Sequence, residues 1–301
     1  MATVGTLAAV GAPRLSTARH GDRSASSITF LVALWLVVAF AIAALLALLI
    51  TAFVEGIERV DGNLFTQYAS QIRPETGGAR AAILGSFWVI GTTALLAIPL
   101  GLAAAVYLEE FADPTRWYNK MIEVNLQNLA AVPAIIYGML TAGFALAIGM
   151  RRGIVLAGGI ALALLILPVI IISAREALRA VPSEIRQGSL ALGATPLRTV
   201  WNQTLPTAVP GIATGTILAL SRALGEAAPL LLLGGLVFVT YDPDGLFSGF
   251  TTMPIQIYDW AGRSQQEFKT LASAAIIVLL GMLLLMNALA IAIRNRYQKR
   301  W

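Results

Sequence analysis

The sequence predicts an all-α integral membrane protein with six spanning helices, and three observations carry that prediction. Of 301 residues, 57% are hydrophobic and only 12% are charged, with a mean hydropathy of +0.77. The apolar residues fall in continuous runs of about twenty, the length of a helix that crosses the hydrocarbon core, and not in the ten-residue alternations of a membrane β-barrel. The net charge of +5 sits mostly in short flanks of those runs. A water-soluble chain of this size needs roughly a quarter of its residues charged. The solvent for most of this chain is therefore lipid, where helices satisfy their own backbone groups.

Residues 1–26 are rich in Ala, Gly, Thr and Ser, carry Arg14, Arg19 and Arg23, and show no periodic apolar face, which predicts a flexible cytoplasmic tail. The first span, 28–53, is too long for a signal-peptide core and is expected to stay in the membrane. The others are drawn at 82–108, 128–149, 153–175, 208–239 and 270–293. Pro99, Pro133, Pro168 and Pro229 lie inside these runs, where neighbouring helices are expected to absorb kinks. Between spans two and three, Glu109 and Glu110 read as solvated, and Asp113-Pro114 predicts a helix start. Residues 55–80 and 241–269 carry turn signals at Asp61-Gly62-Asn63 and Asp242-Pro243-Asp244-Gly245. Their mixed charge suits either a rim that meets a soluble partner or a solvated loop. Gly138, Gly143, Gly149, Gly158 and Gly159 permit close helix approach. Residues 27–294 are expected to form one transmembrane domain, with a cytoplasmic loop at about 180–206 and a basic cytoplasmic tail at 295–301.

The basic residues set the orientation. Arg14, Arg19 and Arg23 precede the first span, and Arg294, Arg296, Lys299 and Arg300 follow the last, so both termini are expected in the cytoplasm. Arg151 and Arg152, between spans three and four, fall on the opposite side in this count.

Several function classes are excluded. The chain has no cysteine and a single histidine, His20, so neither thiolate chemistry nor a histidine metal site is available. It has no Gly-x-x-x-x-Gly-Lys-Ser/Thr phosphate loop, so it is not expected to hydrolyse ATP, and no cofactor is expected in it. A membrane enzyme acting on lipids would need a nucleophile, an acid–base pair or a metal cluster at the interface, and none is evident.

The loop after span four reads Glu184-Ile185-Arg186-Gln187-Gly188-Ser189-Leu190-Ala191-Leu192-Gly193-Ala194-Thr195-Pro196 and runs on to Leu205-Pro206. It predicts a short amphipathic helix broken at Gly193, a second helix opened by Thr195-Pro196, and a stop at Leu205-Pro206. Its small residues suit either insertion into a groove of another protein or an interfacial hairpin packed on its own chain. In span five, Arg222 and Glu226 stand four apart, which places them on one helix face. Ionised groups at mid-membrane cost roughly 2.5–3.5 kcal/mol each on insertion scales, so they normally face a bundle interior or a wet path. The guanidinium is a planar cationic fork suited to phosphate oxygens, and the glutamate can hold it when no anion is present.

The 187–206 loop resembles that of permease subunits of bacterial binding-protein-dependent ABC importers, in which Glu-Ala-Ala is followed after three residues by Gly, and Leu-Pro closes the loop. Gln187-Gly188-Ser189 occupies the first place, Gly193 the glycine and Leu205-Pro206 the end, with Gln203 where that family usually has isoleucine. The stretch Arg222-Ala223-Leu224-Gly225-Glu226-Ala227-Ala228-Pro229 resembles the Arg-Ala-x-Gly-Glu-Thr-Ala-Pro of phosphate-transport permeases of the PstA type, with Ala227 at the threonine. The resemblance implies a type I (MetI-like) importer permease in the bacterial inner membrane that forms half of a phosphate pore. Its implied partners are a related second permease, two copies of an ATPase that uses the ATP, and an extracytoplasmic phosphate-binding protein. Gln187, Gly188, Ser189, Ala191, Gly193, Leu205 and Pro206 would then couple to the ATPase, and Arg222 and Glu226 would line the path. Sulfate or molybdate as the cargo, and a non-conducting scaffold subunit, stay open.

Overall fold

A computed structural model describes residues 25–235 and 238–297, all helix and connections apart from a single antiparallel bridge, Ile154 to Gly249. His20, the three arginines of the tail, Lys299 and Arg300 lie outside the described residues. The chain divides into two compact units, residues 1–50 and 51–301. The first unit holds most of helix α1 (Ala25–Gly56), so the helix opens just inside the predicted tail.

The rest follows as α2 (Gly62–Thr66), α3 (Arg80–Val106), α4 (Trp117–Ala130), α5 (Ala134–Ala147), α6 (Val155–Arg179), α7 (Ser183–Ala191), α8 (Pro196–Thr199), α9 (Leu205–Leu224), α10 (Ala228–Leu232), α11 (Met253–Ala261) and α12 (Gln266–Tyr297). The predicted basic C-terminal tail thus begins as the last helical residues of α12. Among the described residues, five helices are long and apolar enough to cross a membrane, and six if α4 and α5, bent by 109°, count as one span. Pro99 and Pro168 sit within α3 and α6 as expected.

Two of the predicted spans are broken at proline, and the geometry of that residue explains both. Its ring crowds the helical carbonyl four residues back and it offers no N–H, so it kinks a helix or breaks it. At Pro133 the run drawn at 128–149 bends: α4 ends, Pro133 becomes the N-cap of α5, and the Leu129 carbonyl accepts a hydrogen bond from the Tyr137 hydroxyl at 2.7 Å. At Pro229 the run drawn at 208–239 breaks, with α9 ending at Leu224 and Pro229 in the first turn of α10.

Two turn assignments also change. Asp61 caps α2 by accepting from the Leu64 N–H at 2.9 Å, so that segment is a helix start and not a simple turn. Asp113 does not open a helix. Its carboxylate folds back on the Thr115 hydroxyl (2.6 Å) and N–H (2.9 Å), which holds the Asp113 carboxyl below its usual range, and α4 begins only at Trp117.

Helix α6 is the axis of the second unit. Its buried face joins α3, α5, α9 and α10 in one apolar cluster around Ile154, Leu162, Ile166 and Ile170. Because lipid supplies no hydrophobic drive between helices, close backbone approach at small residues matters most. A Cβ on Gly159 would meet the Thr92 side chain at 2.4 Å, and one on Gly138 would meet the Pro229 carbonyl oxygen at 2.3 Å. Gly143 and Gly149, by contrast, face open space.

At one end of the unit, segments 57–79, 148–154 and 238–265 meet. Val155 N–H donates to the Ser248 carbonyl, Arg263 reaches the Gln71 carbonyl, and Arg80 forks onto Asp242 while lying over the Tyr68 ring. The hydrogen bonds from Arg80 hold the Asp242 carboxyl below its usual range. Arg151 and Arg152 are on this end, and α7 is on the other.

Gly138→Val is expected to destabilise the unit by about 1–3 kcal/mol, because the obstacle at this site is backbone and cannot rotate away. Gly143→Val, with open space at the same helix, should leave the midpoint of thermal unfolding in detergent unchanged; equal midpoints for the two variants would refute the α5–α10 contact.

Candidate functional site

The loop after α6 folds as a helical hairpin. Helix α7 ends in a Schellman motif: Ala194 N–H donates to the Ser189 carbonyl (3.2 Å) and Gly193 N–H to the Leu190 carbonyl (2.9 Å). This closure needs a left-handed residue, and Gly193 supplies it at φ +84°. Thr195 then caps α8, its hydroxyl accepting from the Arg198 N–H at 3.4 Å, with Pro196 at the first position. The Ser189 and Thr199 hydroxyls, 2.9 Å apart, tie the two arms together.

The predicted stop at Leu205-Pro206 is absent. A π-helical turn at Val200–Thr204 links α8 to α9, so residues 196–224 run as one 29-residue helix. The wide turn lets the helix pass the missing N–H of Pro206, and the Thr207 hydroxyl takes the Gln203 carbonyl at 2.7 Å. Of the predicted coupling residues, Gln187, Gly188, Ala191, Gly193 and Pro206 are exposed, and Ser189 and Leu205 are half-buried. Sequence reasoning missed the large apolar side chains beside them. Leu192 is 90% exposed at the tip, and Leu197 and Trp201 are also exposed. Leu192 follows directly from the Schellman turn, which throws its side chain outward.

The solvated reading of Glu109 and Glu110 is overturned. A π-helical turn, Tyr107–Phe111, ends α3, and the two side chains are only 14% and 9% exposed. Glu109 pairs with Arg175 (3.2 Å) and Arg179 (2.9 Å), and Glu110 pairs with Arg186 at 2.7 Å. The partners lie 66–76 residues away in sequence, beyond any local pattern.

Arg222 lies in the last turn of α9, while Glu226 falls outside the helix, past the C-cap Gly225. The expected shared helix face is therefore not the one observed: α9 ends at Leu224 with Gly225 as its C-cap, where the ring of Pro229 disfavours a helical Gly225 carbonyl. The two side chains still approach, with Nε to Oε1 at 3.9 Å, and they are 57% and 24% exposed. Among the described residues no hydrogen bond reaches the Arg222 guanidinium. The neighbouring Ala223 and Leu224 share a small cavity with Ser86, Leu162 and Thr252. Ser86 and Leu162 are the seventh and eighth residues of α3 and α6, which puts this level roughly 10 Å in from the end away from α7. No group of three or more carboxylates or histidines that could hold a metal occurs among the described residues.

Residues 97–301 match the family described as binding-protein-dependent transport system inner membrane component, and the chain belongs to it. It is thus a multi-pass inner-membrane permease subunit of a binding-protein-dependent importer. It is 31% identical over 252 residues, 82% of each chain, to the phosphate transport system permease protein PstA of Yersinia pestis. It is 32% identical to the probable ABC transporter permease protein YqgI of Bacillus subtilis, covering 68% of this chain and 69% of that one. The match to the phosphate transport system permease protein PstA 1 of Mycobacterium tuberculosis H37Rv is 35% identical but spans 58% of that protein and 60% of this one. In three dimensions the chain resembles a bacterial alginate ABC transporter solved with an alginate-bound periplasmic protein, with a TM-score of 0.63 at 17% identity, covering 90% of this chain and 95% of that one. It also resembles the inward-facing MetNI methionine ABC transporter, with a TM-score of 0.56 at 18% identity, covering 73% and 97%. At these identities the structural likeness establishes the shared importer-permease fold.

Gly193→Ala forces a Cβ into the left-handed region at a cost of about 1–2 kcal/mol. Amide hydrogen exchange should accelerate across residues 188–194. Gly193→Asn, which tolerates that conformation better, should lie between; unchanged exchange in the alanine variant would contradict the Schellman closure.

Proposed function

We propose that this chain is one of two permease subunits in an ATP-driven importer of inorganic phosphate, contributing half of the pore with Arg222 at its anion path. The cargo is supported by the PstA relatives, one of them 31% identical over 82% of the chain. The path is supported by one observation in particular: an arginine in the apolar run whose ion pair among the described residues is a loose one, to Glu226 at 3.9 Å. Holding a cation there costs a few kcal/mol. The guanidinium donors are not consumed by the protein, and the Glu226 carboxylate is close enough to neutralise the charge while too far to saturate it. A phosphate oxyanion could displace that weak partner and take a bidentate pair of hydrogen bonds.

The second permease would cover the exposed side of Arg222, so that the path forms between two subunits. The α7–α8 hairpin, on the cytoplasmic side, would dock on an ATPase subunit, with Leu192 and the open surface at Gly188 filling a groove. ATP would be bound and hydrolysed by that subunit and not by this chain. The end carrying segments 57–79 and 238–265 would receive the phosphate-binding protein.

The test is uptake of radiolabelled phosphate by the reconstituted complex. Arg222→Gln should reduce uptake by at least about tenfold, the scale of one lost charge-assisted interaction, with the subunits still assembled. Normal uptake would remove Arg222 from the path, and competition by sulfate or molybdate equal to that by unlabelled phosphate would reassign the cargo. In a separate measurement, Gly193→Trp should leave ATP hydrolysis running while uptake falls, since the bulk sits at the docking tip.

A further inference from the structure

The cluster beneath α3 goes beyond ordinary surface pairing. Three carboxylates, Glu109, Glu110 and Glu123, form ion pairs with three guanidiniums, Arg175, Arg179 and Arg186. The π-helical turn that ends α3 directs its two successive glutamates to different helices. Glu109 accepts a two-pronged hydrogen bond from Arg179 (2.9 and 3.0 Å) and a third from Arg175, both on α6. Glu110 accepts two from Arg186, on α7, at 2.7 and 3.3 Å. Arg186 also donates to the carbonyl of Leu178, in the last turn of α6, at 2.7 Å and to that of Val181, in the turn between α6 and α7, at 2.8 Å; the Leu178 carbonyl accepts from the Val181 N–H as well. One guanidinium therefore joins α3, α6 and α7, with every acceptor in good geometry.

We infer that Arg186 is the positioning residue of the coupling step: with Glu110 and the carbonyls of Leu178 and Val181 it makes α3, α6 and α7 one rigid body, so that displacement of α7 moves the membrane helices. This rests on the reading that α7 docks on an ATPase. Without the strut, α7 keeps its links to α6 through Ala180–Pro182 and to α8 through the Schellman turn and the Ser189–Thr199 pair, with Ile185 packed on the apolar cluster, but it loses its ion pair to the end of α3, and a push on the hairpin no longer reaches α3 through that pair. The contact geometry favours this role over generic stabilisation, because Arg186 gives its hydrogen bonds both to the turn that ends α3 and to the junction between α6 and α7.

The experiment uses the assembled complex in proteoliposomes and measures phosphate taken up per ATP hydrolysed. Arg186→Gln and Glu110→Gln should each lower that ratio by about tenfold, the scale of an inter-site coupling, with the ATPase subunit still bound and hydrolysing. An unchanged ratio overturns the inference. Because the chain has no cysteine of its own, Glu110→Cys with Arg186→Cys can be bridged by a short bis-methanethiosulfonate and released by reductant. Bridging should restore the ratio and reduction should abolish it again. A bridged pair that stays uncoupled overturns the strut, including where the single variants assemble poorly. Docking is judged separately: a benzophenone maleimide on Leu192→Cys should photo-cross-link to the ATPase subunit in the complex. No cross-link would refute docking whatever the Arg186 variants do, whereas a cross-link with a normal ratio in Arg186→Gln would refute the strut alone.

Discussion

Backbone that leaves the helix inside hydrocarbon must find its hydrogen-bond partners within the protein, because lipid offers none. This constraint organises the second unit. The chain leaves the helix at Ala131–Pro133 and at Gly225–Ala227, where the break residues are exposed or half-buried, and at both the freed backbone groups find partners within the protein. Tyr137 covers the first by donating to the Leu129 carbonyl. At the second, Gly225 and Glu226 N–H groups turn back onto the Arg222 and Ala223 carbonyls. The elements that follow the breaks, α5 and α10, then pack directly on one another, with Gly138 against the Pro229 backbone. Any side chain at position 138 would separate them and expose polar backbone. A glycine, two prolines and a tyrosine thus make a pair of broken helices possible, and Arg222 stands at the lip of the second break.

What could be read from the residues depended on the range of the interaction. The hairpin was legible because its determinants are local: Gly193 needs a left-handed φ and Thr195-Pro196 is a cap followed by a first-turn proline, all within four positions. The membrane-spanning class was legible from composition, and so was the presence of a charge pair at Arg222 and Glu226. The break between them was not, because Ala227, Ala228 and Leu230 to Leu233 continue an apolar run that looks the same whether the backbone is helical or not. The information was present in one residue, Pro229, whose ring disfavours a helical Gly225 carbonyl, but the same argument applied to Pro99 and Pro168 would have broken two helices that stay continuous. Tertiary packing decides which prolines kink and which interrupt. Glu109 and Glu110 were misjudged for a different reason. Their partners come from a helix and a loop more than sixty residues on, and only the folded chain brings them together.

Arg186 and Arg222 are treated in opposite ways, and the proposed function draws on that contrast. Arg186 has its charge balanced and its donors occupied by Glu110, Leu178 and Val181, at the edge of the apolar layer where water can help. Such a residue holds structure in place. Arg222 is held within that layer with a carboxylate at 3.9 Å and, among the described residues, no hydrogen bond at all. A polypeptide selected for stability alone would replace it with leucine and gain free energy, since an unsatisfied charge in hydrocarbon is a net loss. The loss is tolerable only if something outside the chain completes the site, whether a second subunit, a passing anion or both in turn. On the reading proposed above, rigid attachment at one end of the unit and an incomplete charge near the other suit a coupled transporter, because force must arrive undiminished at a site that is not yet satisfied.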